Sequence, residues 1–282
     1  MLLRSKIMLD LSHISLVCVE SRNPKLAKFA IDQCLSHANF GECILLSEKR
    51  FELPSYITQV EIPAINSTQD YSQFMINELH KYFDLDIALI IQWDGFILSP
   101  DSWNDEFLKF DYIGAPWVDR GIVGNGGFSL RSKKLCQALA KMSVKETHPE
   151  DWVICTLLKQ DLEEKYGISF PSLEIARLFA FESEKTDFKT FGFHAIQNFP
   201  LIFNDQEILE IINLGEKDFI NSGHVLKLIR ASYKLQRFGL AKSLLSLRKK
   251  SRNNQFEYFI ILFRIIVRQF ISKIRNQKTI IH

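Results

Sequence analysis

The sequence predicts an α/β fold, a mainly parallel sheet flanked by helices, with an all-helical C-terminal extension. Two observations indicate it. Short apolar runs rich in β-branched residues alternate with segments of helical spacing as far as Asn204, which is the pattern of β-α-β units. Beyond Asn204 only helical spacing remains. We therefore predict two domains, residues 1–204 and residues 205–282.

The first half of the α/β part contains three predicted strands and two predicted helices. The strands are short and apolar, and Pro24 suits the first turn of the first helix. In chain order the elements are a strand over 14–20, a helix over 23–38, a strand over 43–47, a helix over 68–83 and a strand over 86–94.

The second half begins with a strand over 126–132, after which Ser132 is a candidate cap for a helix over 133–142. A further helix is predicted over 147–166, where Thr147 and Glu150 have the spacing of a capping box. The extension contains four predicted helices, over 205–214, 217–235, 239–250 and 255–274.

Composition is typical of a globular protein with a sizeable core, because 46% of the 282 residues are hydrophobic and 24% are charged. The five cysteines lack CxxC spacing, which favours reduced thiols in a cytosolic protein over disulfides or a zinc site. The apolar N-terminus is interrupted by charged residues and lacks a signal-peptide cleavage site. We therefore expect a cytoplasmic protein.

Charge is divided unevenly along the chain. Residues 205–282 carry 15 Lys and Arg against 6 Asp and Glu, while residues 1–204 carry 20 against 27. Within 254–278, Arg264, Arg268 and Arg275 recur at helical spacing beside a wide apolar face, with Lys273 nearby. Such a helix can lie on the inner face of an anionic membrane, or it can pack on the rest of the protein. No motif for nucleic-acid binding accompanies the basic residues.

Three of the twelve glycines fall within residues 124–127, the sequence GNGG. Clustered glycine indicates positive φ or the close approach of another group to the backbone. The spacing matches neither a dinucleotide-binding fingerprint nor a P-loop. A tight turn before a strand explains it, but Trp117 and the other aromatic residues of FDYIGAPW (110–117) lie just upstream, which favours a carbohydrate site.

Carboxylates follow two predicted strands. Glu20 and Asp94 lie at carboxyl ends, where ligands bind in open α/β sheets. Gln92 and Asp94 are two residues apart, so on an extended segment both side chains point to one face, as in a reduced DxD motif that holds a divalent metal. The alternative is a solvated Asp before the turn-forming Gly95.

Glu150 and Asp151 lie in the first turn of a predicted helix, where acids are favoured by the helix dipole. A carboxylate there that faces a cleft can also be a general base. His194 is a lone histidine among aromatic residues, which by itself is more typical of a hydrogen-bonded core residue than of a metal ligand.

The motifs QWDG, FDYIGAPW, VGNGGFSLRS, HPEDWVIC, PSLEIARLFAFE and FGFH occur in that order. Over residues 15–200 this pattern resembles a family of uncharacterised bacterial and eukaryotic domains classed as glycosyltransferases. The resemblance implies a GT-A-like, Rossmann-type fold. The recurring parts of that fold are a DxD motif, a glycine loop, an xED base motif and a late metal-binding histidine.

The resemblance implies roles for particular residues. Asp94 corresponds to the metal-binding acid of DxD, with Gln92 replacing the first Asp, and His194 to the second metal ligand. Asp151 corresponds to the base, beside Glu150. The remaining expected donor contacts are the end of the first strand for the nucleotide base, and the loop and its neighbours for sugar and diphosphate: Val19, Glu20, Ser21, Gly124, Asn125, Gly126, Gly127, Trp117 and Arg131.

The implied activity is inverting, Mn²⁺- or Mg²⁺-dependent transfer of a sugar from a nucleoside-diphosphate donor to an acceptor hydroxyl, on a glycan or lipid-linked glycan. Surface glycan or polysaccharide synthesis is the expected setting. Two alternatives stay open. A glycoside hydrolase would use paired acids among Asp111, Glu150 and Asp151. A catalytically silent sugar-binding or scaffold protein is the other, because Gln92 weakens the metal motif.

Overall fold

A computed structural model describes residues 8–183, 189–251 and 255–279, without the side chains of residues 249–256, 273 and 275–279. The chain divides into two compact units, one ending at His194 and the other beginning at Ala195. The described residues of the first unit form the α/β part, and those of the second are helical.

Six strands form the main sheet: β1 (Leu9–Val19), β2 (Ala38–Ser47), β3 (Thr58–Glu61), β4 (Ile87–Ile91), β6 (Tyr112–Gly114) and β9 (Phe128–Ser132). Their order is β3-β2-β1-β4-β9-β6. The first four of these are parallel, and β9 runs antiparallel to both of its neighbours. This mainly parallel sheet with flanking helices and a helical C-terminal region confirms the predicted fold class.

Short strands make two smaller sheets. One has the order β10-β11-β5, and the other is a β7-β8 hairpin. These strands are β5 (Gly95–Ile97), β7 (Pro116–Trp117), β8 (Ile122–Val123), β10 (Ala180–Phe181) and β11 (Gly192–His194).

The helices of the first unit are α1 (Pro24–Leu35), α2 (Thr68–Asn77), α3 (Lys133–Lys141), α4 (Glu150–Trp152), α5 (Lys159–Tyr166) and α6 (Leu173–Phe179). The second unit contains α7 (Phe199–Ile202), α8 (Asp205–Asn213), α9 (Lys217–Ile220), α10 (Gly223–Lys234), α11 (Phe238–Ser251) and α12 (Gln255–Thr279). Single turns of 3₁₀ helix occupy Leu79–Lys81, Pro100–Ser102, Asp105–Lys109, Val118–Arg120 and Ile196–Asn198, and a π-helical turn occupies Val153–Leu157.

Several predicted elements have different bounds in the structure. The predicted strand over 86–94 ends at Ile91, because the Gly95 amide donates to the Gln92 carbonyl and closes a turn. The predicted helix over 217–235 is broken at Asn221 and Ser222, between α9 and α10. Ser132 caps α3 as predicted, since its hydroxyl accepts from the Leu135 amide at 2.9 Å.

Two apolar clusters hold the first unit together. Alternate residues of β1, β2 and β4 pack on α2, with Val17, Leu46 and Ile90 against Phe74 and Met75. A second cluster joins α3, α5 and the π-helical turn. Burial of such side chains stabilises the fold by roughly 1.5–3 kcal/mol each. None of the described helices combines the length and apolarity needed to cross a membrane.

Candidate functional site

The glycine loop, residues 124–127, connects β8 to β9. The structure describes this loop in full, and within it only Asn125 has a left-handed backbone, with φ of 50°. Asparagine tolerates that conformation better than most residues. Positive φ is therefore not the reason for the three glycines.

Close approach is the reason instead, and the approaching groups are side chains of the protein itself. A Cβ on Gly124 would lie 2.4 Å from the Trp117 ring. One on Gly126 would lie 2.2 Å from Glu150 Oε1, and one on Gly127 would lie 2.1 Å from His194 Nε2. The loop therefore gathers the predicted site residues around its backbone. Contact between this loop and a bound sugar stays a prediction.

His194 ends β11, and antiparallel pairing with β5 places it opposite Gly95, beside the turn that carries Asp94. Its Nε2 lies 3.1 Å from Gln92 Oε1 and 3.4 Å from Asp94 Oδ1. The predicted pair of acceptors two residues apart does converge on one atom, although a turn rather than an extended strand brings them together.

The other ring nitrogen of His194 is also occupied. Nδ1 lies 2.9 Å from the Asn125 side-chain nitrogen and 3.4 Å from Glu182 Oε1. We call His194, Asp94, Glu182, Gln92 and Asn125 the histidine cluster.

The charges of the histidine cluster shift the pKa values of its members. Burial lowers the pKa of His194, but the two carboxylates, Asp94 first, outweigh burial and raise it to about 10. Burial raises the pKa of Glu182, whereas the hydrogen bond and charge of His194 lower it overall. The cluster therefore holds one positive charge between two negative ones.

Arg131 and Glu150 form an ion pair in the interior, with Arg131 Nη2 2.9 Å from Glu150 Oε1. We call these two residues the interior pair. Arg131 Nε donates to Ser129 Oγ at 3.1 Å, and its guanidinium lies 5.4 Å from the centre of the Tyr112 ring.

The interior pair contains two residues with predicted roles. Arg131 is 1% exposed, so it is removed from any surface that a diphosphate could contact directly. The Glu150 carboxylate is engaged by Arg131, and the role of base stays a prediction for Asp151. The predicted capping box is also absent, since α4 has no side-chain cap and Thr147 Oγ1 accepts from Gln69.

Asp151 is partly exposed beside the interior pair. Its Oδ2 accepts from the Gly126 amide at 3.1 Å, and its Oδ1 accepts from the Trp152 amide at 2.8 Å. Burial, followed by the charge of Glu150, raises the pKa of Asp151 to about 6 despite these hydrogen bonds. A carboxylate with a pKa near the working pH is suited to general-base chemistry.

The glycine loop also fixes the separation between Asp151 and His194. Asp151 binds the amide of Gly126, and His194 lies against the α-carbon of the next residue, Gly127. With standard backbone lengths, Asp151 Oδ2 and His194 Nε2 are at most about 12 Å apart. The glycine loop therefore holds Asp151 and His194 within this distance of each other.

Two tryptophans lie next to Asp151. The ring centres of Trp117 and Trp152 are 6.2 Å apart. The exposed Arg120 places its guanidinium 5.7 Å from the first ring centre and 5.1 Å from the second. The β7-β8 hairpin, with Trp117 and Arg120, and α4, with Trp152, thus present a partly exposed aromatic surface with a cation on it.

The residues predicted to meet the nucleotide lie at the carboxyl end of β1. Val19 is buried, and Ser21 Oγ accepts from the Glu48 amide at 2.9 Å. Glu20 Oε1 accepts from the amides of Arg22 and Asn23 at 2.6 and 3.0 Å. This carboxylate organises the turn into α1, and no contact joins it to the histidine cluster among the described residues.

Sequence reasoning missed Glu182, Trp152, Arg120 and Tyr71 as members of the site. Tyr71 accepts a hydrogen bond at 3.1 Å from the side-chain nitrogen of Gln92. Glu182 and Tyr71 lie far from the loop in sequence, so only tertiary structure brings them to it. Trp152 directly follows Asp151, and Arg120 lies between Trp117 and the loop, so sequence proximity to predicted residues was the signal for these two. Within the described residues, no group of three or more His, Cys, Asp or Glu side chains is arranged to hold a metal ion by itself.

Asp111, the remaining acid of the hydrolase alternative, is also engaged in local structure. Its Oδ1 accepts from Ser132 Oγ at 2.7 Å, and its Oδ2 accepts from the Ser169 amide at 2.9 Å. These bonds join β6 to the start of α3 and to the segment before α6. Asp111 therefore has a structural role in the described part of the chain.

Comparison with known proteins gives similarity to a family model and to solved structures. Residues 55–194, just under half of the chain, match the model of a family described as a protein of unknown function, DUF5672. Among solved structures, the apo form of the glycosyltransferase GlyE from Streptococcus pneumoniae TIGR4 is similar with a TM-score of 0.39 and 11% sequence identity. The similarity covers 66% of this chain and 54% of that one, so it spans about half of the GlyE chain. No curated protein matches the sequence.

Proposed function

We propose that this protein is a metal-dependent glycosyltransferase that moves a sugar from a nucleoside-diphosphate donor to an acceptor hydroxyl. The observation that carries the proposal is the convergence of Asp94 and Gln92 on His194 Nε2, with Asp151 hydrogen-bonded to the glycine loop that His194 contacts. Surface glycan or polysaccharide synthesis is the setting we propose for this reaction.

The residues present fit a divalent cation. Neighbouring ligands of an octahedral Mg²⁺ or Mn²⁺ ion lie about 3 Å apart, and Asp94 Oδ1 and His194 Nε2 are separated by 3.4 Å. The carboxylate of Glu182 at Nδ1 is the kind of partner that orients a metal-binding histidine. Because Asp94 and His194 supply only two ligands, donor phosphate oxygens and water would supply the others. When bound, such an ion stabilises the charge that develops on the leaving diphosphate.

Asp151 would act as the base. Its raised pKa lets it accept a proton from the acceptor hydroxyl near neutral pH, a contribution of about 10²–10⁴-fold in rate. Its two backbone hydrogen bonds fix the direction of the carboxylate. A base that activates an acceptor on the face opposite the leaving group gives inversion at the anomeric carbon.

The acceptor would bind beside Trp152, because this residue directly follows the base and its ring is partly exposed. Trp117 and Trp152 offer apolar faces on which a sugar ring can stack. Arg120 adds a positive charge at the rim, which favours an acceptor that carries an anionic group. The nucleotide stays assigned to Val19, Glu20 and Ser21 at the end of β1.

Both alternatives explain less of the geometry. A hydrolase needs two carboxyl groups flanking the sugar, and Glu150 and Asp111 are engaged in other contacts. A silent sugar-binding scaffold would give no role to the convergence of Asp94 and Gln92 on His194 Nε2. It would also be indifferent to metal, which separates it from the transferase.

Calorimetric titration with UDP, GDP, CDP and dTDP, each with and without Mn²⁺, tests the proposal. We expect one nucleotide to bind in a Mn²⁺-dependent manner, with binding lost in Asp94→Ala and retained in Asp119→Ala, an exposed aspartate of the same unit. Failure of all four nucleotides, or binding indifferent to both Mn²⁺ and Asp94→Ala, would favour the silent scaffold.

A further inference from the structure

Helix α12 presents a long apolar face to the surroundings. Three phenylalanines are the most exposed residues of this face, with Phe263 67%, Phe270 64% and Phe259 59% exposed. Its other exposed members are aliphatic: Ile260, Ile266, Val267, Ile271 and Ile274. Exposed apolar side chains scattered singly are ordinary, but a continuous stripe of this kind marks an interaction surface.

The opposite face of α12 is occupied by the helical unit itself. Ile265 is fully buried and Ile261 nearly so. Arg268 lies 5.7 Å from the centre of the Tyr233 ring, and Lys242 donates to the Gln269 side chain at 2.9 Å. The helix is therefore anchored on one side, and its exposed apolar stripe belongs to the other.

Cations border the exposed stripe. At 100° per residue, the eight exposed apolar positions cover about 140° of the helix circumference. Arg264 falls along one border, and helical periodicity puts Arg275 near it. Lys273 falls at the other border by the same rule. The side chains of Lys273 and Arg275 lie outside the described residues. Glu257 is the only acid in the sequence of α12.

We propose that α12 lies in the interface of an anionic membrane, with Phe259, Phe263 and Phe270 inserted among the acyl chains. Apolar residues on one face with Lys and Arg at its borders are typical of interfacial helices, whose cations remain at the level of the headgroups. The partner is chosen by charge, since residues 205–282 carry 15 basic against 6 acidic residues. A second copy of this equally basic helix would be repelled, whereas anionic lipid headgroups attract it.

Flotation of the full chain with vesicles tests the inference. We expect it to float with vesicles of phosphatidylcholine and phosphatidylglycerol and to float weakly with phosphatidylcholine alone. Raising the salt concentration should weaken binding to the anionic vesicles, because the attraction is screened. Absence of the chain from the floating fraction with anionic vesicles would overturn the proposal.

Two variants test the stripe and its border separately. Phe263→Asp/Phe270→Asp should reduce partitioning more than about tenfold, while Leu157→Asp, at a position 52% exposed in the other unit, should leave it unchanged. Arg264→Ala should reduce binding to anionic vesicles about fivefold without affecting binding to neutral ones. Arg264 is exposed, so this variant keeps the test informative if the double variant does not fold.

Sedimentation without lipid examines the competing occupant. The membrane proposal predicts the same mass for the intact chain and for the Phe263→Asp/Phe270→Asp variant. A dimer that this variant dissociates, together with flotation that the variant leaves unchanged, would assign the stripe to a second copy and overturn the proposal. This outcome is separate from nucleotide binding, because the membrane inference does not rest on the proposed transferase activity.

Discussion

The interior pair and the histidine cluster lie on either side of one peptide unit, between Gly126 and Gly127, and both combine a cation with carboxylate. They differ in how completely the charges are enclosed. The side chains of Arg131 and Glu150 are 0% and 8% exposed and meet at 2.9 Å. In the cluster, both carboxylates are 3.4 Å from the ring. The Asp94 side chain is as enclosed as that of Glu150, at 5% exposed, but His194 and Glu182 are 13% and 19% exposed.

This difference indicates a division of roles. A short, enclosed ion pair with additional hydrogen bonds fixes the chain, because separating it would leave a charge buried without compensation. In the histidine cluster, the oxygens of Asp94 and Gln92 lie at longer distances from His194 Nε2, and together with this nitrogen they are ligand atoms that a divalent cation could contact. We infer that the interior pair supports the glycine loop, whereas the histidine cluster is the part that would bind a divalent cation. Variants of each group can test this distinction.

The largest effect should follow removal of Arg131. Arg131→Met leaves Glu150 buried without its partner, and we expect a loss of about 3–5 kcal/mol in the free energy of unfolding. Urea denaturation measures it, with Arg120→Met as a control at an exposed arginine. Arg131→Met/Glu150→Leu should regain much of the loss. If the free energy of unfolding of Arg131→Met were within about 1 kcal/mol of the wild-type value, the result would contradict a supporting role for the interior pair.

Gly127→Ala should act on the histidine cluster. Its Cβ would meet three ring atoms of His194 within 2.6 Å, so the ring must leave its present position between Asp94 and Glu182. We expect about 1–3 kcal/mol of destabilisation and loss of Mn²⁺-dependent nucleotide binding by calorimetry. Gly239→Ala is the matched control, since a Cβ there meets open space. Unchanged nucleotide binding in Gly127→Ala would argue against a ligand site at this end of the loop.

The sequence predicted much of this arrangement but not its physical basis. The order of strands and helices was visible in periodicity, because each element buries one face of the chain. The glycine loop was visible in composition, yet its glycines accommodate Glu150 and His194, which are distant in sequence, as well as the nearby Trp117. Local sequence patterns cannot predict these close contacts between side chains and the glycine backbone, since the contacts depend on which strands pair.

Local sequence also fails to distinguish the two adjacent acids Glu150 and Asp151. Both acids suited a helix start and both suited a base, and only the family resemblance assigned the base to Asp151. The buried Arg131 separates them by engaging Glu150, and this contact crosses from β9 to α4. Glu182 could not be predicted for the same reason, because only pairing of β10 with β11 and of β11 with β5 brings it to His194.

The raised pKa of Asp151 predicts how the stability of the protein depends on pH. Its pKa is raised from 3.8 to about 6 on folding, so ionisation of this group weakens folding as the pH rises through that interval. The full effect, about 2–3 kcal/mol, is present above pH 6 and absent below the unfolded pKa. Asp151→Asn should remove this part of the pH dependence of unfolding, and Asp119→Asn should not. Transferase activity should follow the opposite trend and fall below about pH 6. Identical stability profiles for wild type and Asp151→Asn would contradict the shifted pKa.

The smallest effect concerns Gln92, where the sequence departs from DxD. Its Oε1 already lies 3.1 Å from His194 Nε2, so Gln92→Glu would add a negative charge to the histidine cluster with little change of shape. That charge attracts the proton of His194 as well as Mn²⁺. Since exchanging one proton for a divalent ion adds a net positive charge, the metal gains more.

We therefore expect Gln92→Glu to tighten Mn²⁺ binding in the absence of nucleotide by roughly 1 kcal/mol, or about fivefold. Isothermal titration measures the change, and Gln73→Glu, which adds the same charge at an exposed position on α2, is its control. Equal tightening in both variants would reflect only the net charge of the protein. Tightening confined to Gln92→Glu would place the ion beside His194 Nε2, close to Gln92 and Asp94. It would also show that the histidine cluster, and not the interior pair, has affinity for metal.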